Sequence, residues 1–262
     1  RVGATVRRLS VPTDSNSIDE VVDYFIAAIA DRTTVVSFSH ISNTTGFRLP
    51  AAELCAAIRK RKADVFIHVD GAQTWGAVDI DLGAIEADSF SGSAHKWFMG
   101  PREVGVLYVR EQHIDNIWPN VVSIPWGQTV DDAPTGARKF DALGQRDDAA
   151  IAALGDAAAL HEALTPTGIE ARSMMIADRL REGLQDLGVK FVSTSNPLFT
   201  SSVVIISAPR ESARELTRKV YDESGIITAP TGGLRMSPHV YNTEDHVDRV
   251  VAAIEKFKNM LS

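Results

Sequence analysis

Three apolar runs that each end in a polar residue at nearly equal spacing constrain this chain more than any other feature. Thr34-Val35-Val36-Ser37-Phe38-Ser39 breaks into a polar loop containing Asn43. Val65-Phe66-Ile67-His68-Val69-Asp70 turns at Gly71, and Asp88-Ser89-Phe90-Ser91 leads into Gly92-Ser93-Ala94-His95-Lys96. Asn43, Asp70 and Lys96 are 27 and 26 residues apart, about one strand-helix-strand unit each. Between the first two runs, Pro50 opens a helix to about Lys62, because proline is tolerated where a first-turn N–H has no partner. A shorter crossover carries Asp79 to Ile85. Ahead of all three, Ser17 and Glu20 form a capping box before the apolar stripe Val21, Val22, Phe25, Ile26 and Ile29. This alternation predicts a mostly parallel sheet with helices on its faces, an α/β fold. If the runs are parallel strands, Asn43, Asp70 and Lys96 share the carboxyl edge, where open α/β sheets bind ligands. Any one of them alone reads equally well as an ordinary loop residue.

After the strand pattern Gly105-Val106-Leu107-Tyr108-Val109, the periodicity loosens. Residues 111–147, with Pro119, Pro125 and Pro134, read as a long crossover loop. Two alanine-rich helices follow near 148–164 and 168–187, then extended runs at 189–192 and 203–207. A helix near 212–224, short strands around Ile226 and Leu234, and a last helix from Thr243 complete a smaller α+β module. The expected division is 1–147 and 148–262. The sequence has 27 basic and 34 acidic side chains, a net charge of −7, and its basic run Arg59-Lys60-Arg61-Lys62 suits a solvated helix end. That balance argues against nucleic-acid or membrane-surface binding. One cysteine cannot form an internal disulfide, so nothing demands an oxidising compartment and the cytoplasm is expected.

A carboxylate after a mostly apolar run, as at Asp70, is costly to bury unless it meets a cation, and a protonated heterocyclic nitrogen would supply one. Lys96, set among small and aromatic residues, is expected to be desolvated, which favours the free amine. Ser93 and His95 beside Gly92 offer donors suited to a phosphate. His68, on the same face as Asp70, reads as a packed or supporting residue, His40 as a loop histidine and Cys55 as core. Trp75, Trp97, Trp118 and Trp126 flank the region, though tryptophans mostly serve burial.

The runs His68-Val69-Asp70-Gly71-Ala72-Gln73, Ser93-Ala94-His95-Lys96, Gly100-Pro101 and Gly105–Val109 resemble the class V aminotransferase group of fold-type I pyridoxal-phosphate enzymes. Leu234-Arg235-Met236-Ser237-Pro238-His239-Val240-Tyr241-Asn242-Thr243 is similar to that group's Arg-x-Ser segment and the Tyr-Asn-Thr that opens its last helix. The resemblance implies pyridoxal 5'-phosphate as cofactor and an α-amino acid as substrate. It makes Lys96 the Schiff-base lysine and α-proton shuttle, and sets Asp70 against the pyridinium nitrogen. Asn43 and Gln73 would lie near the ring 3-oxygen, Ser93 and His95 on the phosphate, and Arg235 on the substrate carboxylate. A homodimer is implied as well. Family members carry roughly a hundred or more residues ahead of this stretch, enough for part of a domain, so the chain is expected to be a fragment lacking the ring-stacking residue and an N-terminal phosphate site. Where relatives have Gly-Thr reaching a neighbouring subunit's phosphate, this chain has Gly144-Gln145, and Gln145 could still donate.

A desulfurase needs a thiol in the loop before the arginine segment, and no cysteine lies between Asn196 and Arg235. Epimerase- or aminotransferase-like chemistry at the α-carbon is therefore expected, with a C–S lyase as the alternative and a non-catalytic interaction module as the alternative of another class. A metal site built on His68, Asp70 and His95 lacks a further ligand, and no phosphate-binding glycine motif supports a nucleotide site.

Overall fold

The computed structural model describes residues 3–122, 134–141 and 144–261; Pro125 and Trp126 lie outside them. The first half builds a four-stranded sheet in the order β1 (Val35–Ser39), β2 (Phe66–Asp70), β3 (Ser89–Ser93) and β4 (Gly105–Val109). β1, β2 and β3 are parallel, and β4 returns antiparallel to β3. The parallel returns are made by α2 (Ala51–Arg61), with Pro50 at its N-cap, and by the four-residue α3 (Leu82–Ile85), capped by Asp81. α1 (Ile18–Ile26) begins at Ser17, whose hydroxyl accepts the Glu20 N–H at 3.2 Å. The Glu20 carboxylate takes the Asn16 N–H at 2.7 Å, one residue earlier than a strict capping box.

The strands alternate as a sheet packed on one face should. Ile67 and Val69 are buried, while Phe66, His68 and Asp70 are half-buried on the opposite face. Phe38, Ile67, Val69 and Phe90 pack with Leu54 and Ile58 of α2 and Val21 of α1. Asp88, wholly buried just before β3, ties this layer together. Its carboxylate accepts from Arg59 of α2 at 2.6 Å and from the Ile67 N–H of β2 at 2.8 Å, and lies 2.9 Å from His113 Nε2 in α4 (Glu111–Ile114). Burial alone would raise this carboxyl, but those three partners outweigh it and hold the group below the usual range.

The second half carries α5 (Asp148–Leu164), α6 (Pro166–Asp186), β5 (Val204–Ile206), α7 (Arg210–Ser224), β6 (Leu234–Met236) and α8 (Glu244–Lys256). β5 and β6 pair antiparallel under α6, α7 and α8 around Leu180, Leu184, Leu216, Val220 and Ile254. The extended pattern expected at 189–192 yields only a bridge from Phe191 to Ile206. No strand forms around Ile226, since that stretch contributes just the Ala229–Arg235 bridge. The two halves are interlocked. Phe199 stacks on Phe47 at 4.6 Å, and the Ser201 hydroxyl donates to the Gly46 carbonyl at 2.7 Å. Among the described residues no helix is long and apolar enough to cross a membrane.

His40 lies in the loop directly after β1, as expected, but is only 4% exposed, and its Nδ1 has no partner. Burial, with the Arg48 charge as a smaller cause, lowers its pKa to about 3. The unfolded chain therefore binds a proton below about pH 6.5 that the folded chain refuses until about pH 3. Stability should fall across that interval by about 1.4 kcal/mol per pH unit for this group, and the low-lying Asp88 adds to the loss at the acid end. Denaturant unfolding between pH 7.5 and 4 checks this; a flat profile contradicts it.

Candidate active site

The carboxyl ends of β1, β2 and β3 meet along one edge, and Asp70 is the most firmly held group there. Parallel register places Ser39 of β1 opposite Asp70. The Ser39 hydroxyl donates to Asp70 Oδ2 at 2.9 Å, and the Ala72 N–H donates to Oδ1 at 2.9 Å. Two donors on two oxygens fix the plane of the carboxylate and leave lone pairs open. Gly71 is required between them, because a Cβ at that position would lie 1.9 Å from Cζ of the buried Phe90 ring. One pleat back, His68 is set between two serines of β3, with Nδ1 2.7 Å from the Ser89 hydroxyl and Nε2 3.4 Å from the Ser91 hydroxyl. Burial lowers its pKa, against the opposing charge of Asp70. It supports the strand beside Asp70, as expected of a packed residue.

β3 ends at Ser93 and the chain turns through Ala94–Phe98. Trp97 and Phe98 point inward, which leaves His95 and Lys96 exposed, so the expected desolvation of Lys96 is not supplied by its neighbours here. The Lys96 amine makes no hydrogen bond or ion pair with the described residues. The turn is closed by the Met99 N–H on the Lys96 carbonyl at 3.1 Å and the Gly100 N–H on the Ala94 carbonyl at 2.8 Å. Met99 adopts φ 57°, a left-handed conformation costly for a residue with a side chain. Gln73 is buried, and its Oε1 accepts the Trp97 indole N–H at 2.9 Å, so the Asp70 loop and the Lys96 turn are joined directly.

Arg235 reaches this edge from the second half. It sits on β6 opposite Ile205, and its Nη1 donates to the Asn43 carbonyl at 3.2 Å. Its Nε is buried without a partner, and burial lowers the guanidinium pKa. Close approach of the two segments depends on Gly232, at φ 73°, where a Cβ would lie 2.0 Å from the Thr44 carbonyl oxygen. Asn43 is exposed, so its side chain is free to turn toward a ligand. The structure thus couples Asn43 to Arg235, and Gln73 to the Lys96 turn. No hydrogen bond joins Ser93, His95 or Lys96 to Asp70, Asn43 or Arg235, and Gln145 is exposed.

Sequence reasoning missed three contributors. Ser39 became visible only through strand register. His161 of α5 and His239 after β6 are buried histidines whose Nε2 atoms lie 3.2 Å and 2.8 Å from the carbonyls of Phe98 and Trp97. Only the adjacency of His239 to Arg235 could have drawn attention to it.

Comparison with known proteins places the geometry in a family. Residues 1–250 match the model for aminotransferase class V. The chain is 30% identical to isopenicillin N epimerase of Streptomyces clavuligerus over 97% of this chain and 68% of that protein. It is 26% identical to a probable cysteine desulfurase of Pyrococcus abyssi over 87% of this chain and 60% of that protein. Among solved structures, a cystine C–S lyase in complex with its product cysteine persulfide superposes with a TM-score of 0.76 at 26% identity, covering 89% of this chain and 64% of the other. A cysteine desulfurase of Thermococcus onnurineus NA1 shares the fold with a TM-score of 0.77 at 22% identity, and the chain covers 62% of it. The chain thus spans about two thirds of the epimerase and somewhat over three fifths of these solved structures. With a matching family model over nearly its whole length, and a mostly parallel sheet whose carboxyl edge gathers Asp70, the Lys96 turn and Arg235, the chain belongs to the aminotransferase class V family.

Proposed function

We propose that the protein is a pyridoxal 5'-phosphate enzyme acting at the α-carbon of an amino acid, epimerase- or aminotransferase-like. The observation that carries this reading is a complementary set of groups on one sheet edge: a braced carboxylate at Asp70, an unpaired primary amine at Lys96, and a half-buried guanidinium at Arg235 with an orphaned Nε. A phosphorylated pyridine aldehyde with a bound carboxylate would satisfy all three. Bound there, pyridoxal phosphate supplies an aldehyde that captures amines and a protonated ring that accepts the electron pair released at the substrate α-carbon.

The chain's own groups would act as follows. Asp70, its oxygens aligned by Ser39 and the Ala72 N–H, would hold the proton on the ring nitrogen. Lys96 would hold the cofactor through its amine and would serve as the base and acid for the substrate α-proton. Ser93 and His95 would bind the phosphate, and Asn43 and Gln73 would approach the ring 3-oxygen, Gln73 through the amide nitrogen because its oxygen is taken by Trp97. Arg235 would grip the substrate carboxylate with its fork, which aligns the α-hydrogen with respect to Lys96. Residues 1–147 form the larger cofactor-binding unit in this reading and 148–262 the smaller one. The working state would be a cytoplasmic homodimer in which Gln145 is available to a neighbouring subunit.

Cys55 weighs against a persulfide-forming desulfurase. It is the sole cysteine of the sequence, buried in α2, and burial pushes its thiol up to about 12, far from a sulfur-accepting thiolate. A C–S lyase remains a second reading, favoured by the likeness to the cystine C–S lyase.

Two measurements test the proposal on the full-length protein. Incubated in deuterium oxide with pyridoxal phosphate and a panel of amino acids, it should exchange the α-hydrogen of at least one of them, and Lys96→Ala should abolish the exchange. Exchange that survives in Lys96→Ala refutes the assignment of that residue. Arg235→Lys replaces a bidentate fork by a point charge and should weaken amino-acid affinity about ten- to a hundred-fold, roughly 1.5–3 kcal/mol, while cofactor affinity is unchanged; loss of cofactor with unchanged amino-acid affinity would reverse its role.

A further inference from the structure

Two ring stacks frame the turn that carries Lys96, and each includes a buried histidine from the second half of the chain. Trp75, Phe98 and His161 are stacked at centroid spacings of 4.0 and 4.3 Å, with interplanar angles of 15° and 8°. Trp97, His239 and Tyr241 are stacked at 5.3 and 4.8 Å, with angles of 25° and 14°. Each histidine also donates to the main chain. His239 Nε2 lies 2.8 Å from the Trp97 carbonyl, and its Nδ1 accepts the Val240 N–H at 2.8 Å. A carbonyl requires a donor and an N–H requires an acceptor, so these two bonds fix His239 as the neutral Nε2–H tautomer. His161 Nε2 donates to the very next carbonyl, that of Phe98, at 3.2 Å. The carbonyls gripped are those of the two residues directly after Lys96, in a turn whose Met99 is held at φ 57°. A left-handed residue of this kind persists only where its surroundings over-determine it.

We propose that His239 and His161 are positioning residues for Lys96: hydrogen-bonded to consecutive carbonyls of its turn and locked by ring stacking, they set where the Lys96 amine stands relative to Asp70 and Arg235. The inference rests on the reading of Lys96 as the cofactor-bearing amine. It goes beyond that reading because His239 sits four residues after Arg235 on the same segment. One segment of the second half therefore presents the carboxylate-binding guanidinium and holds the amine's turn, so the two reacting partners share a common reference. Burial lowers the pKa of both histidines, which keeps the donor tautomers in place. Two weaker features carry nothing comparable: the open face of the four-stranded sheet has no occupant indicated, and the hollow beside His40 is rimmed by Asp79, Asp81 and Glu53 with no ligand chemistry that fits all of them.

The test uses the full-length protein loaded with pyridoxal phosphate and its best amino-acid substrate. His239→Phe keeps a ring in the stack and removes the donor, whereas His239→Gln keeps an N–H within reach of the Trp97 carbonyl. Misplacement of a reacting group by about 1 Å costs up to about a hundredfold in rate. His239→Phe should therefore lower kcat about ten- to a hundred-fold with KM changed less than about threefold, shift the visible absorption of the lysine-bound cofactor, and be rescued to within about threefold by His239→Gln. His161→Phe should act in the same direction and takes its place should His239→Phe not fold. Wild-type kcat and absorption in the Phe variants overturn the proposal, as does a loss of kcat that Gln fails to restore. Lys96→Ala separates the two levels: if it retains the visible band, the reading of Lys96 itself is wrong, and if it loses the band while the histidine variants are silent, only the positioning role falls.

Discussion

Parallel strands cannot be joined by a tight turn, so each return of the chain across the sheet brings it out at the same edge. That constraint places the Asn43 loop, Asp70 and the Lys96 turn side by side, although 27 and 26 residues separate them in sequence. The register of β1 on β2 adds the chemical detail, because pairing Ser39 with Asp70 gives the carboxylate a hydroxyl donor from the adjacent strand. A slip of one residue would turn both side chains into the packed face among Phe38, Ile67 and Val69 and leave the edge without its anion. Asp88 guards against such a slip by bonding to α2, β2 and α4 at once, so moving one element would strand a buried charge.

The second half completes the edge rather than merely adjoining it. Gly232 lets the strand of Arg235 press against the carbonyl of Thr44, the Ser201 hydroxyl reaches Gly46, and His161 and His239 grasp the turn after Lys96. Ile41, Ala77, Val78 and Trp97 of the first half pack with Val203 and Ile205 of the second, which seals this contact with apolar surface. A guanidinium whose Nε is buried and unpaired carries a desolvation cost. A bound carboxylate would relieve it, which supports the substrate role proposed for Arg235.

Much of this was legible in the sequence where periodicity and local chemistry point the same way. Pro50 and Ser17 mark helix starts, period-two alternation marks β2, and the common pitch of Asn43, Asp70 and Lys96 marks the shared edge. The signals failed where tertiary packing decides. The run near Ile226 has strand composition but offers only the Ala229 bridge to β6, and residues 189–192 offer only Phe191 to a bridge. His40 sits in a polar loop sequence yet is buried. Lys96 has aromatic neighbours in sequence, but Trp97 and Phe98 turn inward to meet His239 and His161, which leaves the amine exposed. No local pattern could foretell those two histidines, because their partners are backbone carbonyls more than sixty residues away.

In the proposed function, this sheet edge binds pyridoxal phosphate through Lys96. Borohydride reduction of the full-length protein loaded with the cofactor, followed by proteolysis and peptide mapping, tests it most directly. The account predicts a single pyridoxyl mass on the peptide Ser93-Ala94-His95-Lys96-Trp97, at Lys96. A label on Lys60, Lys62 or Lys139 instead, or none at any lysine of this chain, would contradict it.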